Sequence, residues 1–206
     1  ELYRLIGKKT SSAGQLQNET HTVRIYSGVG DGQISNTTSA NSSWSIARQA
    51  TSGTTVCATC AGPASFSGAS EASFATNLFA IHRGFFVFDT SIIPANAVVT
   101  GATLRVYASS TGFTNTDNDG ADFISVVQTS QPSNSTLSLD DFDQTGTTEG
   151  SSRVDFGNLG LNTYNSFTLN TAGLGWIKKA GQTSSCGNTS GVTCLGTREG
   201  HDLLNS

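Results

Sequence analysis

The sequence has little charge, only three prolines, no methionine and no long apolar run. Asp, Glu, Lys and Arg make up 13% of its 206 residues, and the net charge is −4. The longest basic runs are Lys8-Lys9 and Lys178-Lys179, so the clustered cations that bind nucleic acid are missing. No apolar run approaches the ~20 residues of a membrane-spanning helix. These absences point away from nucleic acid as a partner and from a transmembrane segment. The many Ser, Thr, Asn, Gln and Gly residues are typical of extracellular β-proteins.

Cysteine is also scarce, and the four cysteines fall into two local pairs, Cys57 with Cys60 and Cys186 with Cys194. This spacing predicts two short-loop disulfides formed in an oxidising compartment, at a cell or virion surface or outside the cell. Crossed pairing stays open. A four-cysteine zinc site also stays open, although the spacing between Cys186 and Cys194 is unusually wide for a zinc-binding pair. A redox CxxC motif is a further alternative, although the helix expected to begin at its first cysteine is not predicted.

Period-two alternation predicts seven to nine strands. Residues 98–108 form a predicted strand with Thr103, Arg105 and Tyr107 on its solvent-exposed face, whereas the strand at Phe85–Phe88 is apolar on both faces. Further strands are predicted at 21–27, 43–49, 122–129, 151–157, 166–170 and 193–204, loops at 28–42 and 50–73, and a single helix at 171–181. We therefore expect an all-β jelly-roll sandwich with long loops and one short helix. It would form a single domain at 18–206 after an N-terminal arm at 1–17.

The strand Phe85–Phe88 raises a question of its own. A strand with bulky apolar side chains at both parities must be covered on both faces. One cover would be the opposite sheet. The other would be a loop, the N-terminal arm or a partner molecule.

The stretch "RGFFVFDTSIIPANAVVTGATLRVY" at residues 83–107 resembles the signature of jelly-roll modules of the DNRLRE type. "LDDFDQTGTTEG", "FTLNTAGLGWIKKAG" and "TCLGTREGHD" are similar to the acidic loop, Asn-capped helix and late strand of that family. The resemblance implies a non-enzymatic structural or adhesive module of a secreted, surface-attached or phage-like protein. Some members of the family bind carbohydrate, so a glycan or a cell-surface polysaccharide is an expected partner.

The chain departs from that family pattern in two places. It has an insert between Cys186 and Cys194. The family usually continues to a closing strand after this region, and we expect that strand to be missing here. A missing strand would leave an open sheet edge. The alternative function is therefore a filament or tail-fibre subunit that pairs with copies of itself. In that case an arm containing Leu2, Tyr3, Leu5 and Ile6 would fill a neighbour's edge.

Two kinds of binding site are suggested by residue type. Asn115, Asp117 and Asp119 resemble the front half of a calcium loop, although Val126 stands where an EF-hand needs its closing Glu. A looser Ca²⁺ site would add Asp122 or a backbone carbonyl. Ca²⁺ is thus a candidate ligand, and the alternative is a solvated turn that binds no ion. We expect no required cofactor. The candidate sugar-binding residues are Arg105, Tyr107, Tyr26 and Trp44, with core packing as the alternative for Trp44.

The remaining candidates are modification and catalytic sites. Five Asn-x-Ser/Thr sequons occur in predicted loops, at Asn18, Asn36, Asn41, Asn134 and Asn188. The acidic loop that contains Asp141 and Asp143 carries no cleft signal, and no Gly-x-Ser-x-Gly elbow is present. A polysaccharide-acting enzyme is therefore the third hypothesis, and we expect a protein that is not an enzyme.

Overall fold

The computed structural model describes residues 2–10, 16–57, 68–73, 77–108 and 119–205. Eleven strands and three short α-helices lie within these ranges. The strands are β1 Leu2–Thr10, β2 Leu16–Ile25, β3 Gly32–Thr37, β4 Thr55–Cys57, β5 Gly68–Ser73, β6 Leu78–Asp89, β7 Thr103–Ala108, β8 Phe123–Gln128, β9 Val154–Asp155, β10 Thr163–Thr168 and β11 Val192–Glu199. The helices are α1 Trp44–Arg48, α2 Thr171–Trp176 and α3 Gly200–Leu204, with 3-10 turns at Leu139–Asp141 and Phe156–Asn158.

The strands form two antiparallel sheets. The smaller has the order β10-β7-β1-β2, and the larger has the order β4-β3-β6-β11-β8-β9 with β5 also paired to β6. One apolar core joins them, since Leu104 and Phe167 of the smaller sheet cluster with Phe86, Ile124 and Leu195 of the larger. The all-β sandwich predicted from the alternation is confirmed.

Strand β6 is buried on both faces, as its sequence predicts, and all of Phe85–Phe88 is buried. Phe86 and Phe88 face the smaller sheet within the shared core. Phe85 packs on the other side with Ala47 of α1 and with Phe142, and Val87 packs against the Cys186–Cys194 pair. The second cover is therefore supplied by the chain's own helix and loops.

Cys186 and Cys194 form a disulfide, which confirms this pairing and removes both residues as zinc ligands. Cys57 is also disulfide-bonded. Cys60 lies outside the described residues.

Several local predictions are wrong. The strand predicted at 43–49 is instead the helix α1, because Ser43 caps it by accepting a hydrogen bond from the Ile46 amide, and Ile46 lies exposed while Ala47 is buried. A helix of one turn is too short for its 3.6-residue period to show against an apparent alternation. The predicted loops at 28–42 and 50–73 contain β3, β4 and the whole of β5.

The elements around the predicted helix and last strand also differ. Helix α2 is capped by Asn170 and ends at Trp176, so Gly181, with its φ of 75°, belongs to a later turn. The strand predicted at 193–204 ends at Glu199, whose side chain caps α3. Strand β7 begins only at Thr103, and Val98 is exposed.

The sequons divide by position. Asn18 lies in β2 and Asn36 lies in β3, so neither is in a loop. Asn36 is buried and its Nδ2 donates to the Ala47 carbonyl at 2.9 Å, so the folded protein cannot carry a glycan there. Asn41 and Asn188 are exposed in turns, and Asn134 is half-buried.

No helix within the described residues has the length and apolar character needed to cross a membrane.

Candidate functional site

The outward side of β7 and β10 carries three side chains that we call the tyrosine face: Arg105, Tyr107 and Tyr164. Strand alternation turns Leu104 and Val106 into the core, so Arg105 and Tyr107 point outward, as predicted. The register places Tyr164 of β10 directly opposite Tyr107. The small polar residue Ser166 lies opposite Arg105. The sheet thus groups two aromatic rings beside one cation.

The geometry of the tyrosine face is that of a packed but exposed cluster. The rings of Tyr107 and Tyr164 have centroids 5.3 Å apart and an interplanar angle of 77°. The guanidinium carbon of Arg105 lies 4.9 Å from the Tyr164 centroid, within the range of a cation–π contact. Tyr107 is 37% exposed and Tyr164 is 45% exposed. The rings are therefore held in place by one another and still offer surface to a ligand.

Tyr26 and Trp44 occupy other places. Tyr26 is 64% exposed and directly follows Ile25, the end of β2. Because β1 separates β2 from β7, Tyr26 lies two strand spacings, ~10 Å, from β7, just before Ser27 pairs with Phe88 of the larger sheet. Trp44 begins α1 on the far side of the larger sheet and makes an edge-on contact with Phe79 at 5.9 Å. Trp44 is thus a packing residue, which is the alternative given above.

Tyr164 was not among the residues predicted for sugar binding. The strand prediction began at Ser166 and so omitted it. A signal was present in "TYNSFT", where Tyr164, Ser166 and Thr168 share the exposed parity and Asn165 and Phe167 are buried.

A second cluster, which we call the acid–histidine cluster, contains Asp119, Asp122 and His201. Ligand atoms of these three side chains all lie within 4.8 Å of one another. The sheet register explains the meeting: Ile124 pairs with Glu199, so continuing the antiparallel register by two residues sets Asp122 level with His201. Gly200 permits the close approach, since a Cβ there would lie 2.0 Å from the Ala121 carbonyl oxygen.

Hydrogen bonds fix the groups of this cluster. His201 Nδ1 lies 2.5 Å from Glu199 Oε1, and His201 Nε2 lies 3.4 Å from Asp119 Oδ1. The Ala121 amide donates to Asp119 Oδ1 at 2.9 Å and lowers the pKa of that carboxyl. Burial raises the pKa of Glu199, against the opposing effect of its bonds to His201. One imidazole is thus held between two carboxylates of different exposure.

The predicted calcium ligands are only partly placed. Asp119 and Asp122 come together, as expected for a shared site. Asn115 and Asp117 lie outside the described residues. His201 was not predicted as a ligand, because nothing in the sequence links it to the distant motif that contains Asp119 and Asp122.

The acidic loop is accounted for by local structure. Asp141 is buried and accepts a hydrogen bond from the Ser138 amide at 2.8 Å, which closes the 3-10 turn. Glu149 accepts two hydrogen bonds from Arg153, and these lower the pKa of its carboxyl. The carboxylate of Asp141 therefore stabilises a turn, and that of Glu149 forms a local ion pair with Arg153.

Comparison with protein-family models, with curated proteins and with solved structures finds no match to this chain.

Proposed function

We propose that this protein is an extracellular, non-enzymatic β-sandwich module that binds carbohydrate at the tyrosine face. The observation that carries the proposal is the contact between two exposed rings, Tyr107 and Tyr164, with Arg105 against the second. The resemblance to DNRLRE-type modules, some of which bind carbohydrate, supports the same function.

The chemistry of the tyrosine face suits a sugar. A pyranose presents C–H groups on its faces and hydroxyl groups at its rim, and an exposed tyrosine offers an apolar ring with a polar tip. Mutual packing of the rings and Arg105 reduces the entropy lost when a ligand immobilises them. The Arg105 guanidinium supplies donors for hydroxyl or carboxylate oxygens. The surrounding Thr103, Ser166 and Thr168 are small and polar, so they leave room above the rings.

The extracellular location rests on the disulfide. Cys186 and Cys194 close a loop within one chain, and bonds of this kind persist in oxidising compartments.

Affinity electrophoresis against a panel of neutral and acidic polysaccharides tests the proposal. We expect retardation by at least one polysaccharide, and a loss of about tenfold in affinity for Tyr107→Ala and for Tyr164→Ala. Ile46→Ala is the matched control, because Ile46 is an exposed apolar residue of α1 on the opposite side of the sandwich. The proposal fails if no polysaccharide slows the wild-type protein, or if the tyrosine variants migrate as it does.

A second candidate function, assembly by strand addition, is favoured by one observation on β1. This strand pairs with β2 along most of its length but with β7 only at Leu2 and Leu104. Among the described residues, no strand pairs with the β7-facing edge of β1 beyond Leu2. An extended backbone edge of this kind can accept or donate a strand between copies.

Light scattering and electron microscopy of the full chain, and of a variant lacking residues 1–16, separate this function from the first. Strand addition predicts oligomers or filaments that disappear with the deletion, while Tyr164→Ala assembles normally. Unchanged assembly after the deletion excludes β1 as the donated strand.

A further inference from the structure

The acid–histidine cluster has a composition and an arrangement that neither proposed function uses. Its three members come from two elements, the segment before β8 and the helix α3. Asp122 is buried, His201 is partly buried and Asp119 is exposed. The cluster therefore runs from the interior to the surface.

The spacing within the cluster matches the geometry of a shared ion. His201 Nε2 and Asp119 Oδ1 lie 3.4 Å apart, longer than the usual hydrogen-bond distance. Two ligand atoms bonded to one tetrahedral ion at ~2.1 Å would lie ~3.4 Å from each other. The remaining distances, all within 4.8 Å, require only small side-chain adjustments to reach the same centre.

The orientation of His201 is set by Glu199. His201 Nδ1 lies 2.5 Å from Glu199 Oε1, so Nε2 is directed away from that carboxylate and toward Asp119. Metal-binding histidines commonly give their second nitrogen to a carboxylate in this way, which fixes the tautomer and the ring plane. Glu199 is itself held, because it accepts bonds from the amides of His201 and Asp202 at 3.1 and 3.3 Å.

The helix that carries His201 is rigidly attached to the sheet. Asp202, the next residue, is fully buried and accepts bonds from both Arg83 and Arg198 at 2.6 to 2.8 Å. The ring of His201 thus has a fixed base, and no ordering of α3 is needed for it to bind a ligand.

We infer that Asp119, Asp122 and His201 bind a divalent transition-metal ion of the Zn²⁺ class, which ties the segment before β8 to the C-terminal helix. An imidazole nitrogen with two carboxylates suits such an ion, whereas Ca²⁺ takes six to eight oxygen ligands. The ion would complete its coordination with water on the exposed side, where Asp119 lies.

Isothermal titration of the full chain with Zn²⁺, after removal of metal by chelator and in buffer free of thiol reductants, tests the site. No free cysteine is found within the described residues, and omitting reductant keeps the Cys186–Cys194 sulfurs from competing for zinc. We expect one Zn²⁺ per chain, a melting temperature that rises with Zn²⁺ concentration, and weaker binding of Ca²⁺.

Variants assign the site to these residues. His201→Gln and Asp119→Asn should each weaken Zn²⁺ binding by at least tenfold, and Glu199→Gln by about 10- to 100-fold. Asp119 is an exposed loop residue, so its variant folds even if a helix variant does not. His21→Gln, at an exposed histidine of β2, is the matched control. The inference is overturned if the wild type binds no Zn²⁺, which is the result expected if Asp119 and His201 form an ordinary ion pair. Unchanged Zn²⁺ binding by His201→Gln and Asp119→Asn would also overturn it.

Discussion

Arg83 and Asp202 form a two-point ion pair on the buried outer side of the larger sheet. Arg83 Nε donates to Asp202 Oδ2 at 2.8 Å, and Arg83 Nη2 donates to Asp202 Oδ1 at 2.7 Å. Arg198 makes the same pair of bonds to the same carboxylate at 2.7 and 2.6 Å. Burial would raise the pKa of Asp202, but the bonds from the two arginines outweigh it and lower the pKa. One carboxylate thus joins α3 to β6 and β11.

Asp202→Asn should destabilise the fold strongly. The substitution leaves two buried guanidinium groups without their counter-charge, and breaking a buried pair costs about 3–5 kcal/mol. Urea unfolding followed by circular dichroism measures the change. Asp140→Asn, at an exposed aspartate, should fall within about 0.5 kcal/mol of wild type. A loss below about 1 kcal/mol for Asp202→Asn would contradict the role given to this carboxylate.

The stability of the protein should decrease as the pH falls through the titration range of the partly buried His82. Burial lowers the pKa of His82, and the Gln33 amide nitrogen donates to His82 Nδ1, which requires the neutral ring. Below the unfolded value, ~6.5, the unfolded chain takes up a proton that the folded chain does not. The folded state therefore loses stability from about pH 6.5 downward until its own lower pKa is reached, at no more than about 1.4 kcal/mol per pH unit for one proton.

Unfolding free energies of wild type and His82→Gln at several pH values between 7 and 5 check this dependence. The difference between the two proteins should narrow as the pH falls, since the variant has no ring to protonate. A constant difference across the range would show that His82 takes up its proton equally in both states.

Replacing Cys186 and Cys194 together by alanine should cost about 2–3 kcal/mol, because the bond closes a short loop in the unfolded chain. The two cysteines are eight residues apart and cluster with Val87, so the loop is also part of the cover over β6. Thermal unfolding without reductant measures the loss. Equal melting temperatures for the variant and the wild type would show that the covering loop is held by other contacts.

Double burial of β6 could be predicted from the sequence, because Phe85–Phe88 leaves no polar parity to face water. What covers the second face could not. Phe142 stacks on the Arg83 guanidinium at 4.1 Å, and Ala47 contributes a small buried side chain from a one-turn helix. Each of the two residues lies in a segment too short for a repeating pattern of apolar residues to show which side is buried. The wrong strand prediction around Trp44 has the same cause.

Some residues of the two candidate sites could be predicted from the sequence, and others could not. Arg105 and Tyr107 followed from alternation within a single strand, and that prediction is confirmed for their orientation. Tyr164 and His201 each depend on which strands are neighbours. The pairing of β7 with β10 and of β8 with β11 joins segments more than fifty residues apart, and alternation carries no information about partners.

The measurement that tests the carbohydrate function most directly is the dissociation constant of the polysaccharide bound best by the wild type, compared among Tyr164→Ala, Tyr164→Phe and Ile46→Ala. The proposal predicts a rise of about tenfold for Tyr164→Ala and values close to wild type for Ile46→Ala, with Tyr164→Phe near wild type because the ring is kept. A wild-type protein that binds no polysaccharide, or equal constants for Tyr164→Ala and wild type, would contradict it.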